Sequence, residues 1–443
     1  MSISNISSAS ERRMSSRRQY PRVLHFDAES NSVKIPSLAR VPDLKPTKVP
    51  KEAISSSSED DDYEPTCQPM HEWQTRTFPV CNNVHEVNMR PESGSVVFIN
   101  CKFQLCTKCL PVQRSLTDTD PFPCIVFAGG GSRCAFKIRD TGDDWIVLKI
   151  SKYKKDIDER TFEKARKDGV AMERLQSSAY VLDIFGFCGL SQVIEPGLDG
   201  GATHDLIKTT RLRGEDSLPV VDKLKIVYQL ASGVADMHTF EKEELVSLVH
   251  NDICCHQFIF VDGIYKLNDF HLAHFQTKNK TSNEICKAYN SYSEHYKLIR
   301  SPEEISVKVK RPRNQNVLLE KSDVYTLGNV MYHILTMKWL FENQGVSKGI
   351  QELMQGRRSP FPERILTSSD RAIRAIRKAI EMCWKHDPEQ RPSADMVRNY
   401  LGKELKAVLG VEELGVVRVT SIHPLPEGYK YSDSDFRTMF YDD

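Results

Sequence analysis

Three short stretches of this 443-residue chain carry side chains whose types and spacing could do chemistry. The first is "HNDICCHQ", His250 to Gln257, where Asp252 follows a His and precedes an amide by one helical turn or so. A carboxylate in such a loop can accept or orient a hydroxyl proton. The second is "KLNDFH", Lys266 to His271, reached through a tight Asp262-Gly263 turn and carrying Asp269. The third is "AGGGSRC", Ala128 to Cys134, followed by Lys149 in "VLKI" and Glu173 in "AMERL". Glycines let backbone N–H groups approach phosphate oxygens without Cβ obstruction. A lysine in an apolar strand wants a counter-charge, and Glu173 can provide it. Each feature has a plain alternative. A hairpin needs the same glycines, an edge strand can carry a solvated lysine, and surface turns often hold carboxylates.

These side chains need a framework. "CIVFA", "AFKIRD" and "WIVLKI" read as strands around the glycine loop and a "TGDD" turn. "DERTFEKARKDGVAMERLQ" has helical spacing, and "VLDIFGFCG" and "SQVIEPG" read as further strands. Beyond them the chain turns helical. Leu224, Val227, Leu230, Val234 and Met237 form one apolar stripe, as do Ile373, Ile376, Ile380 and Trp384. Ser368, Ser369 or Asp370 can cap the later helix, and Pro388 can end it.

Residues 1–66 are rich in Ser, Pro and charge with no period, and are expected to be disordered, including the acidic run "SSSSEDDDYE". Residues 67–120 read as an extension containing the strand "VVFINCKFQLC", and 409–443 as a polar C-terminal tail. The 61 basic and 60 acidic residues leave a net charge of +1, so charge alone gives no reason to expect nucleic acid or a membrane as partner. Apolar runs fall short of the ~20 residues of a membrane span. The N-terminus lacks the apolar core of a secretory signal; its Ser/Arg-rich composition suits disorder better than a transit peptide. A cytoplasmic location is expected, with the nucleus as alternative. The 12 cysteines are then expected to be reduced. Cys101, Cys106 and Cys109 have an iron–sulfur-like spacing, with Cys124 as a fourth ligand, but free structural thiols are the preferred reading.

Taken in order, the motifs resemble a protein kinase domain over about residues 121–408. "SPEE" (Ser301–Glu304), "KSDVYTLGNVMY" with Asp323 and Gly328, and "CWKHDPEQRPSADMV" with Arg391 complete the set. "CNNVHE", "KLNDF" and "SDVYTLGNV" further resemble divergent algal, diatom-type kinases. The resemblance implies an α+β bilobal fold with a small β-rich N-lobe and a larger, mainly helical C-lobe. It implies ATP, Mg²⁺ or Mn²⁺, and a protein substrate whose Ser or Thr hydroxyl is expected ahead of Tyr. Gly129 and Gly131 would cover the phosphates, and Lys149 would hold them, fixed by Glu173. Asp252 would be the catalytic base, and Asp269 and Gln257 the metal ligands. The backbone from Glu195 to Gly197 would form the adenine hinge, and Arg391 would pair with Glu303. The chain departs from the family at Cys134, Asn251, Cys254, Gln257 and His271, which replace Gly, Arg, Lys, Asn and Gly. His256 could stand in for the missing lysine, or be a plain polar loop residue. A weakened protein kinase is expected; the alternative is a pseudokinase acting as a nucleotide-binding interaction module. Nothing in the sequence sets an oligomeric state.

Overall fold

The computed structural model describes residues 67–76, 125–129, 133–139, 145–151, 159–197, 201–242, 245–286, 298–309 and 319–422. The expectations for residues 1–66, Gly131, the cysteines at 101, 106, 109 and 124, and the strand over 96–106 lie outside these residues.

Strand β1 (Cys67–Pro69) comes first, followed by β2 (Ile125–Gly129), β3 (Arg133–Arg139) and β4 (Trp145–Ser151). Helix α1 (Glu159–Arg174) leads to β5 (Ile184–Cys188) and β6 (Ser191–Ile194). Strands β2 to β6 form one antiparallel sheet in the order β2-β3-β4-β6-β5. Strand β4 lies at its centre, and Ile146, Val147, Leu148 and Ile150 are all buried. A central strand covered on both faces reads as a continuous apolar run, and Lys149 is embedded in that run.

The helical half begins with α2 (Thr203–Arg213) and α3 (Val220–Thr239). The stripe from Leu224 to Met237 is fully buried, because α3 lies against three later helices and a hairpin. After β7 (Leu248–Val249), that hairpin is made by β8 (Phe258–Val261) and β9 (Ile264–Leu267). Its turn places Asp262 and Gly263 at φ 48° and 83°, the left-handed pair that a two-residue hairpin demands. Then come β10 (His274–Phe275), β11 (Thr277–Asn279), α4 (Pro302–Val309) and α5 (Leu319–Thr336). Helices α6 (Val346–Met354), α7 (Glu363–Leu366), α8 (Arg371–Cys383) and α9 (Ala394–Leu409) close the domain. The Asp370 side chain caps α8 by accepting from the N–H groups of Ala372 and Ile373. The helix ends at Cys383, well before Pro388.

The expectation of reduced thiols is corrected. Cys67 and Cys286, 219 residues apart, form a disulfide with a Cα–Cα distance of 6.1 Å. Cys188 is also disulfide-bonded, whereas Cys254, Cys255 and Cys383 are free. The reason lies in the topology: β1 pairs antiparallel with β11 and brings the two sulfurs together. Residues 67–76 thus strap the segment after Asp269. Trp73 is buried, edge-on to Phe240 and Phe275. The Gln74 amide donates to the carbonyls of Ser247 and Gln276. Arg166 of α1 donates to the carbonyls of Gln74 and Arg76, tying the strap to that helix.

Part of the expected tail is also built into the domain. Val417 and Val419 are buried. The Val419 N–H donates to the Gly263 carbonyl at 2.8 Å, and the Gln229 amide donates to the Val417 carbonyl at 2.9 Å. Among the described residues no helix is long and apolar enough to cross a membrane.

Candidate functional site

The loop from His250 to Gln257 connects β7 to β8 and is fixed from below by Asp323 of α5. That buried carboxylate accepts from the N–H of His250 at 2.7 Å and of Asn251 at 2.8 Å. Asn251 sits at φ 62°, a conformation that Asn tolerates better than most residues. The loop therefore holds Asp252 rigidly, with its side chain only 12% exposed. One Asp252 oxygen accepts from the Gln257 amide nitrogen at 2.7 Å, the other from the Arg300 guanidinium at 3.2 Å. Arg300 also donates to the Asn251 carbonyl at 2.6 Å.

The cation beside Asp252 is Arg300, not His256. The His256 ring stacks on His204 at 4.1 Å, and burial, aided by that second ring, holds its pKa down at about 3, so it is neutral. Burial and the nearby Asp252 push the Cys254 thiol well up, so it too is uncharged. The Gln257 amide nitrogen donates to Asp252 and so helps to hold that carboxylate in place.

The β8–β9 hairpin delivers Asn268, Asp269 and Phe270 to the other side of the cleft. The Lys149 ammonium donates to the Asn268 side-chain oxygen at 2.8 Å and lies 3.9 Å from Asp269. Burial lowers the Lys149 pKa, opposed by Asp269 and Asp168. The structure does not bring Glu173 to Lys149. Glu173 faces Arg76 of the strap at 3.5 Å. The carboxylate that α1 turns into the site is Asp168, fully buried, which accepts from Arg133 and from the Phe270 N–H, each at 2.6 Å. Ala165, Asp168, Met172 and Leu175 share the buried stripe of this helical segment, and Glu173 lies off it.

Arg133, at the start of β3, is a site residue to which the glycine-loop motif assigns no role. Its guanidinium donates to Asp168, to Asp269 at 2.6 Å and to the Gln192 oxygen at 3.2 Å. His271 lies 3.1 Å from the same Asp269 oxygen. Burial alone would raise the Asp269 pKa, but His271, Lys149 and Arg133 together hold it well below the ordinary carboxylate range. Among the described residues no three His, Cys, Asp or Glu side chains converge as a metal-ligand set.

At the hinge, the Glu195 N–H is taken by the Asp183 carbonyl at 2.9 Å, and its carboxylate by Lys266 at 2.7 and 2.9 Å. A Cβ at Gly197 would lie 2.1 Å from the Ile259 side chain, so the close approach requires glycine. Gly129 ends β2, paired with Cys134. Glu303 and Arg391 form the implied pair, with two bonds of 2.6 and 2.7 Å.

The protein kinase domain family model matches residues 128–401. A mouse mixed lineage kinase domain-like protein is 30% identical over 242 residues, which are 53% of this chain and 46% of that protein. A putative serine/threonine-protein kinase/receptor of Acanthamoeba polyphaga mimivirus is 25% identical over 257 residues, 57% of this chain and 13% of its own length. The dual specificity protein kinase pyk3 of Dictyostelium discoideum is 27% identical over 199 residues, 44% of this chain and 12% of its own. The chain thus spans less than half the length of these relatives. It belongs to the protein kinase domain family.

Proposed function

We propose that this member of the protein kinase domain family binds ATP between the five-stranded sheet and the β8–β9 hairpin and slowly transfers the γ-phosphate to a protein hydroxyl. Serine or threonine is proposed ahead of tyrosine; relatives named as serine/threonine and dual specificity kinases support a protein hydroxyl as acceptor. One observation carries the reading. Lys149 and Asp269 face each other at 3.9 Å, and Asp252 is held on a loop whose backbone is pinned to Asp323. A lysine suits nucleotide phosphates, and Asp252 can orient the attacking hydroxyl. The Cys254 and Gln257 replacements lower the rate without abolishing it. Losing one charge-assisted hydrogen bond costs ~1.5–3 kcal/mol, roughly 10–150-fold, against enzymatic accelerations of ~10⁶ or more.

A second reading is an ATP-binding interaction module without useful turnover. Arg133 on the Asp269 carboxylate favours it, because that oxygen is already engaged.

Thermal melts of the full chain test the binding shared by both. ATP at ~100 times its dissociation constant should stabilise the fold by about 2.7 kcal/mol, and Lys149→Met should remove most of that shift. A melt unmoved by ATP would contradict both readings. Phosphate transfer measured against an Asp252→Asn background separates them.

A further inference from the structure

The divalent cation that the family implies meets a poor set of partners in this cleft. Mg²⁺ demands near-octahedral oxygen ligands at about 2.0–2.1 Å. The Asp269 oxygen instead faces nitrogen on three sides: Arg133 at 2.6 Å, His271 at 3.1 Å and Lys149 at 3.9 Å. Gln257, the other expected ligand, points its amide nitrogen at Asp252. Arg133 and Lys149 already balance Asp168 and Asp269 in charge. A dication on this Asp269 oxygen would meet the Arg133 guanidinium already bonded to it, which is also the cation of the buried Asp168, and like charges at such short range in a buried site repel strongly. The residues as arranged do not fit the metal.

We propose that Arg133 is the resident cation of the nucleotide site: it takes the place of the divalent metal on Asp269, so that ATP binds this chain without a metal ion. The proposal rests on the reading of the cleft as an ATP site. The chemistry favours it. An arginine carries five N–H donors in a planar fork that matches phosphate oxygens. The bonds to Asp168, Asp269 and Gln192 use three of them, leaving donors for a phosphate next to Lys149. Buttressed by two carboxylates, the guanidinium is oriented before any ligand arrives, which lowers the entropy cost of binding.

Calorimetric titration of the full chain with ATP, in excess EDTA and in excess Mg²⁺, tests the proposal. The dissociation constants should agree within about threefold. Arg133→Gln should bind ATP about tenfold or more tightly with Mg²⁺ than with EDTA, because Asp269 is then released for the metal. Arg133→Lys, which keeps a cation, should stay indifferent to Mg²⁺. Wild-type binding that needs Mg²⁺ by about tenfold or more overturns the proposal while leaving the ATP site standing. An Arg133→Gln protein equally indifferent to Mg²⁺ overturns it as well. Absence of binding in both wild-type arms overturns the ATP-site reading and this inference together. Should a melt show Arg133→Gln to be unfolded, the wild-type arms and Arg133→Lys still support or overturn the proposal.

Discussion

Arg391 is 2% exposed, and its guanidinium meets Glu303 with two bonds while also donating to the carbonyls of Lys321, Lys385 and His386. Burial would raise the Glu303 pKa, but Arg391 outweighs it and holds the carboxyl below its ordinary value. Removing one partner of such a pair leaves an uncompensated charge, which costs about 3–5 kcal/mol. Arg391→Met should therefore lose stability of that order in a urea titration; an unchanged midpoint would show that the pair holds nothing together. This pair is legible in the sequence because both residues sit in motifs of fixed order. The carboxylate that the helix turns into the site is not. Glu173 has the right type and follows the lysine, but Asp168 shares the apolar stripe of Ala165 and Met172. A carboxylate on a buried helical stripe is the signal that distinguishes them. Arg300 lies just before one motif and Arg133 at a position of the glycine loop to which the motif assigns no role, so only the fold reveals that both reach the carboxylates of the site.

At the scale of elements, the hairpins and amphipathic helices are readable because their signals are local: turn residues, caps and periodic burial. The strap is not. Strand β1 pairs with β11 across some two hundred residues, and no local pattern in "CQP" or "TKN" announces a partner. The strap has measurable consequences. The Cys67–Cys286 bond closes a long loop, so Cys67→Ser should cost ~2–5 kcal/mol of stability. Trp73→Ala removes a buried indole and should cost ~3–5 kcal/mol. Hydrogen exchange should localise the damage. Protection should fall at residues 277–279, which pair with β1, and persist in α8. Loss spread evenly over both would contradict a local strap.

Across the whole molecule, the order of a β-rich half followed by a helical half is plain from the sequence, since periodicity switches between them. The electrostatic state of the interior is not, because burial decides it. His333 is held at a pKa of about 4 by burial, from 6.5, and His256 at about 3. Both rings are thus neutral in the folded chain and titrate normally when it unfolds. Below 6.5 the unfolded chain binds more protons, so stability is full above that value and falls as the pH drops toward 4. Each ring contributes up to about 1.4 kcal/mol per pH unit in that window. Melting temperatures should fall between about pH 7.5 and pH 5, and His333→Gln should flatten part of the fall. A melting temperature constant over that range would contradict neutral buried rings. The most direct test of the functional claim is transfer of radiolabelled phosphate from ATP to a protein acceptor, with phosphoamino acid analysis, by the full chain beside Asp252→Asn. Slow transfer to serine or threonine, about tenfold or more above the variant, is the predicted result. Equal rates for the two proteins would contradict catalysis by this site.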